Sequence, residues 1–153
     1  METTATADSS GRATLGEAAP PVYGFDTGFF VRLLQGDSRA VAAWADVRAG
    51  RAVGAASCLT LFELDRLGLR DVVERGPAEA LVGALPQTCR VVWLGEPDGA
   101  DRLRRAVRLG HGNGLAMADA IVLTSLLDAG ATTVYTTDSD FERYDGPVDI
   151  VVL

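Results

Sequence analysis

Short apolar runs alternate with longer stretches of helical periodicity along this 153-residue chain. "VYGFD" (Val22–Asp26) is an apolar run ending in an acid, the pattern of a buried strand. "TGFFVRLLQG" then reads as a helix closed by Gly36, and "DSRAVAAWADVRAG" as a second helix with Asp37 as N-cap and Gly50 as stop. "AVGAAS" (Ala52–Ser57) predicts a weak strand of small residues, after which Ser57 caps the helix "CLTLFELDRLGLR". "DVVERGPAEALVGAL" has helical periodicity, but Gly76-Pro77 predicts a break into two short pieces. "CRVVWL" (Cys89–Leu94) predicts a strand, "PDGADRLRRAVRLG" a helix and "HGNG" a loop. "LAMADAIVLTSLLDAG" predicts a helix ended by Gly130, followed by the strands "TTVYTT" and "VDIVVL".

Strands that alternate with helices at this spacing imply a parallel sheet covered on both faces. Residues 22–153 form one domain by this reading, with no internal repeat or linker. Residues 1–21, rich in Ala, Thr, Ser, Gly and Pro, form a tail expected to be disordered. Strands of a parallel sheet end on one shared edge, and ligands bind there. Asp26 ends the first strand and Asp138 follows the strand ending at Thr137. If those strands are neighbours, the two acids arrive together.

Composition narrows the classes. Hydrophobic residues make up 48% of the chain, as in a soluble globular protein. No apolar run approaches the roughly 20 residues of a membrane span, and the first residues lack the pattern of a secretory signal. Cys58 and Cys89 sit in apolar surroundings and read as free thiols in a reducing cytoplasm. A zinc centre would need more ligands than these and the lone His111. The net charge of −7 argues against a surface that coats nucleic acid. Every basic side chain is Arg, since the chain contains no Lys.

Asp119 is the most informative acid. Its helix, Leu115 to Leu127, is apolar almost all round and therefore buried. A carboxylate there needs a partner, because burial disfavours its charge. An Arg could supply a structural ion pair; a metal ion is the functional alternative. In "SCLTLFELDRLG" a helical wheel leaves both Glu63 and Asp65 open as the inward acid.

Asp26 in "FDTGFFVRLL", Glu63 in "SCLTLFEL", Asp119 in "AMADAIVLTSLLDAG" and Asp138 with Asp140 in "VYTTDSDF" resemble, in order and spacing, the four acidic blocks of PIN-domain ribonucleases, particularly VapC-type toxins. The likeness runs from Val22 to Leu153 and selects Glu63 over Asp65. It implies a PIN-like three-layer α/β/α fold around a central parallel sheet of four to five strands. It implies an endoribonuclease dependent on Mg²⁺ or Mn²⁺, with Asp26, Glu63, Asp119 and Asp138 as catalytic residues. Asp26, Asp119, Asp138 and Asp140 would be the metal ligands, and the hydroxyls of Thr27, Ser57, Thr60 and Thr136 would support them. The implied partners are an RNA substrate, a cognate antitoxin with a segment laid over the acidic site, and a second copy of the chain.

Arg102, Arg104, Arg105 and Arg108 crowd one helix, either as a solvated face or as a phosphate-binding strip, and Arg102, Arg105 and Arg108 are the candidates for contact with substrate. Trp44 and Trp93 are expected in the core and His111 in a loop. An aspartyl-phosphate enzyme would share the clustered Asp residues but requires a Lys that is absent. A non-catalytic PIN-like module acting by protein binding is the remaining alternative.

Overall fold

The computed structural model describes residues 18–153, so most of the expected tail lies outside the described residues. The chain is tied to the sheet by Pro21, whose carbonyl accepts from the Val53 N–H at 2.9 Å. Five strands follow, β1 (Val22–Phe25), β2 (Val53–Ser57), β3 (Cys89–Val92), β4 (Thr133–Thr136) and β5 (Asp149–Val152). Six helices connect them: α1 (Thr27–Leu34), α2 (Ser38–Arg48), α3 (Cys58–Leu69), α4 (Arg75–Thr88), α5 (Gly99–Asn113) and α6 (Met117–Asp128). All strand pairs are parallel, in the order β3-β2-β1-β4-β5.

Alternation along each strand divides the core into two layers. In β2, Ala56 faces one side and Ala55 the other, as the two-residue period of a strand requires. Ala56 packs with Phe25, Phe29, Phe30, Leu64 and Leu85, beneath α1 to α4. Ala55 packs with Leu123, Leu126, Val134 and Phe141, beneath α5 and α6. Phe25 and Phe29 stack at 4.0 Å between ring centres, and Trp44 meets Phe25 edge-on at 6.0 Å. Trp44 thus joins the core as expected, while Trp93 follows the end of β3 and is 47% exposed.

Two local expectations fail for identifiable reasons. The Gly76-Pro77 pair does not break α4, because both residues lie in its first turn. N–H groups there have no partner within the helix, so Pro costs little. The "HGNG" segment is not a loop. α5 continues through His111 to Asn113, whose side-chain amide donates to the Leu109 carbonyl at 2.9 Å. Gly114, at φ +66°, then ends it.

The sheet order reverses at β1. The chain runs outward through β2 and β3, then returns to place β4 on the other side of β1. The carboxyl ends of β1 and β4 therefore flank the switch point, the usual place for a site in an open parallel sheet.

Candidate active site

Asp26 leaves β1 and becomes the N-cap of α1. Its Oδ1 accepts the Phe29 N–H at 2.8 Å, and its Oδ2 accepts the Thr136 hydroxyl at 2.5 Å. Phe25 pairs with Tyr135, so Thr136 arrives opposite Asp26 by strand register. The same Thr136 oxygen accepts the Asp138 N–H at 2.9 Å. Asp138 in turn caps a 3₁₀ turn at Ser139–Arg143, accepting the Asp140 N–H at 2.8 Å. This chain of bonds answers for the two acids after β4: one strand end and one short turn set both.

Glu63 comes from α3, which starts at the end of β2 under the Ser57 cap. The Thr27 hydroxyl donates to Glu63 Oε2. Thr60, fully buried on the same helix, has no hydrogen-bond partner for its hydroxyl among the described residues. Asp65 is exposed.

Asp119 sits in the first turn of α6, as a first-turn acid at the positive end of the helix dipole. Burial raises its pKa, and the charges of Asp138, Glu63 and Asp140 raise it further. Asp26 is raised to about 6, mainly by burial; the bonds from Thr136, Phe29 and Thr137 oppose the shift, and Asp119 adds to it. Asp119 therefore feels acids from two other segments: Glu63 of α3, and Asp138 with Asp140 of the capped 3₁₀ turn after β4.

Carboxylates that raise one another's pKa suit a hard cation, which would take their oxygens and cancel the repulsion. Asp26 keeps a lone pair for it, since the Phe29 and Thr137 N–H groups and the Thr136 hydroxyl take three of the roughly four acceptor sites of its carboxylate. The donor set fits Mg²⁺ or Mn²⁺. Among the described residues, however, no three acids are gathered closely enough to hold an ion as they stand. Asp140 is also engaged by Arg143 at 2.8 Å. No sequence pattern singles out Arg143, although its i,i+3 spacing from Asp140 is the available signal.

The arginines of α5 depart from the expected strip. Arg102 is 4% exposed and cannot line a substrate path. It is held by Asp128 at 2.8 Å, Asp98 at 3.0 Å, Glu96 at 3.1 Å and the Trp93 carbonyl at 2.9 Å. Arg105 shares Asp128 at 2.5 Å, and Arg104 pairs with Asp101. Asp128 lies nine residues beyond Asp119 on α6, roughly 13 Å along the helix. Arg102 and Arg105 are thus anchored at the far end of α6 from the acids. Arg108 is exposed without a carboxylate partner among the described residues.

The PIN domain profile matches residues 23–147. The chain belongs to the PIN domain family. No curated protein matches this PIN domain in sequence. Its fold is similar to VapBC2 from Rickettsia felis, solved bound to a DNA fragment from their promoter, with a TM-score of 0.63 at 14% identity, covering 86% of this chain and 98% of that one. It is also similar to VapC20 from Mycobacterium tuberculosis, described as a sarcin-ricin loop cleaving toxin, with a TM-score of 0.60 at 24% identity, covering 83% and 98% of the two chains. A toxin-antitoxin complex from Klebsiella pneumoniae matches with a TM-score of 0.59 at 22% identity, covering 85% and 96%. The PIN fold expected from the acidic blocks is thus present, with five strands in its parallel sheet. No helix of the described residues is long and apolar enough to cross a membrane.

Proposed function

We propose that this PIN domain is a divalent-metal-dependent endoribonuclease and the toxin of a type II toxin-antitoxin pair. One observation carries the reading: Asp119, in a buried helix, is repelled by three acids from two other segments at the carboxyl edge of the sheet. Such repulsion is costly without a cation and has no evident structural use. Asp26, Asp119, Asp138 and Asp140 would hold Mg²⁺ or Mn²⁺, and the ion would supply Lewis-acid stabilisation of a phosphodiester and an activated water. The chain's own groups orient the donors. Thr136 and the first turn of α1 fix Asp26, and Thr27 fixes Glu63, leaving Glu63 placed to take a proton from the attacking water. Ser57 acts indirectly, by capping the start of α3, and Thr60 is buried on the same helix one turn before Glu63.

VapBC2 and a toxin-antitoxin complex are among the structural neighbours, which supports a cognate antitoxin as partner. Exposed Leu103, Val107 and Met117 around an apolar recess between α5 and α6 support a homodimer. Cytoplasmic action suits the free thiols of Cys58 and Cys89.

The absence of a ready-made three-acid group among the described residues favours a second reading, a non-catalytic PIN module that binds protein. The Asp119→Asn variant separates the two. Under the nuclease reading, the wild type cleaves RNA with Mg²⁺ or Mn²⁺, chelator stops it, and the variant loses at least about a hundredfold in rate. A variant as active as the wild type, or a wild type inert with both ions, sinks the nuclease reading.

A further inference from the structure

A nuclease with a net charge of −7 must hold a polyanion beside its own carboxylates. Of the α5 arginines expected to do this, Arg102 and Arg105 pair with Asp128 at the other end of α6, and Arg108 alone is exposed and unpaired with a carboxylate among the described residues. A different set stands next to the acids. A recess of about 230 Å³ is lined by Thr27, Glu63, Arg66, Leu67 and Arg70. A second recess, of about 440 Å³, also contains Thr27 and Leu67 and adds Val31, Arg32 and Thr137. The shared residues make the two recesses parts of one groove along the contact of α1 with α3. Glu63 stands at one side of it, and Thr137, the neighbour of Asp138, at the other.

Helical spacing explains the arrangement. Residues 63, 66, 67 and 70 share one face of α3, so Arg66 and Arg70 lie roughly one and two turns beyond Glu63. Neither they nor Arg32 is paired with a carboxylate among the described residues, whereas Arg51, Arg75, Arg102, Arg104, Arg105 and Arg143 are. Leu67 and Val31 add apolar lining to the groove that a sugar or base could cover. Unpaired guanidinium groups beside an apolar lining, next to Glu63, match a single strand with its charged backbone and apolar faces.

We infer that the α1/α3 groove is the substrate track of this site, with Arg66 and Arg70 holding phosphates beside the scissile bond and Arg32 continuing the track on the α1 side. The inference rests on the nuclease reading and assigns its binding surface. The probe is a fluorescently labelled, single-stranded RNA of mixed sequence, bound in chelator so that it is not cut. Its affinity is measured by anisotropy over a salt series for the wild type, the double variant R66A/R70A and the charge-matched control R48A/R90A, with thermal melts of each. Losing two phosphate contacts should lower the salt slope by about 1.4 and the low-salt affinity on the order of tenfold. The control should keep the wild-type slope. Arg70→Glu alone should weaken binding in the same direction, which keeps the test decisive if the double variant does not fold. An R66A/R70A protein that keeps wild-type affinity and slope, while the wild type cleaves RNA, overturns the track and leaves the nuclease reading standing; the groove would then be left to a protein partner. A wild type that neither binds the probe nor cleaves RNA with either metal overturns both.

Discussion

Asp26 closes β1, caps α1 and faces Asp119, and these duties pull its charge in opposite directions. Burial favours the protonated form, while the Thr136, Phe29 and Thr137 donors favour the charged one; burial prevails and the pKa rises from 3.8 to about 6. The folded chain therefore binds this proton more tightly than the unfolded chain. By linkage, the stability contributed here is full below about pH 4 and falls as pH climbs to about 6, a loss on the order of 2–3 kcal/mol for metal-free protein. Asp26→Asn removes the titration but keeps an acceptor for the Phe29 N–H. In chelator near neutral pH, the variant should melt several degrees above the wild type, and the gap should close towards about pH 4. A gap that does not change with pH, measured by calorimetry, would refute burial as its cause. The identity of these acids was legible from their order in the chain. Their partners were not: Thr136 meets Asp26 across 110 residues, a matter of strand register rather than local pattern.

Caps made most elements readable. Asp37 accepts from the N–H groups of Arg39 and Ala40, Ser57 from that of Leu59, and Gly36, Gly50 and Gly130 take positive φ where helices end. α1 carries a constraint that no cap reveals. A Cβ at Gly28 would lie 1.9 Å from Thr137 Oγ1 and 2.9 Å from its Cβ, so the helix approaches the turn after β4 only because residue 28 is Gly. Gly28→Ala should cost about 1–3 kcal/mol by overpacking. Thr137→Gly in the same chain should recover most of it, and a double-mutant cycle from urea melts measures the coupling. Additive losses would mean that the contact is not the cause. α5 teaches a different lesson. Its arginine run looked like a surface strip, yet Arg102 turns inward to bind three carboxylates and a carbonyl. Arg102→Ala should destabilise by roughly 3 kcal/mol, because it removes a buried guanidinium, leaves Asp128 to Arg105 alone and takes the donor from the Trp93 carbonyl. It should leave the salt dependence of oligonucleotide binding unchanged. A stable variant with a reduced slope would return Arg102 to the substrate path.

For the molecule as a whole, the acidic edge makes stability a function of the cation. An ion bound only by the folded state should raise the melting temperature with concentration, adding about 2.7 kcal/mol at a hundred times its dissociation constant. Mg²⁺ and Mn²⁺ should both do so in the wild type, and the effect should largely vanish in Asp119→Asn. Scanning calorimetry with chelator as baseline checks this; equal shifts in both proteins would place the ion elsewhere. The sequence by itself determined the alternation of strands and helices, hence the parallel sheet, and the set of acids. Those features follow from hydrophobic period, capping chemistry and strand-end position, all local or one-dimensional. Only the tertiary structure decided which charges are free. Asp128 comes from α6 to join the nearby Asp98 and Glu96 in claiming Arg102, while Arg66 and Arg70, unremarkable along the chain, are left open beside Glu63. An ion pair between distant segments depends on how the elements pack, and no periodicity along the chain encodes that choice.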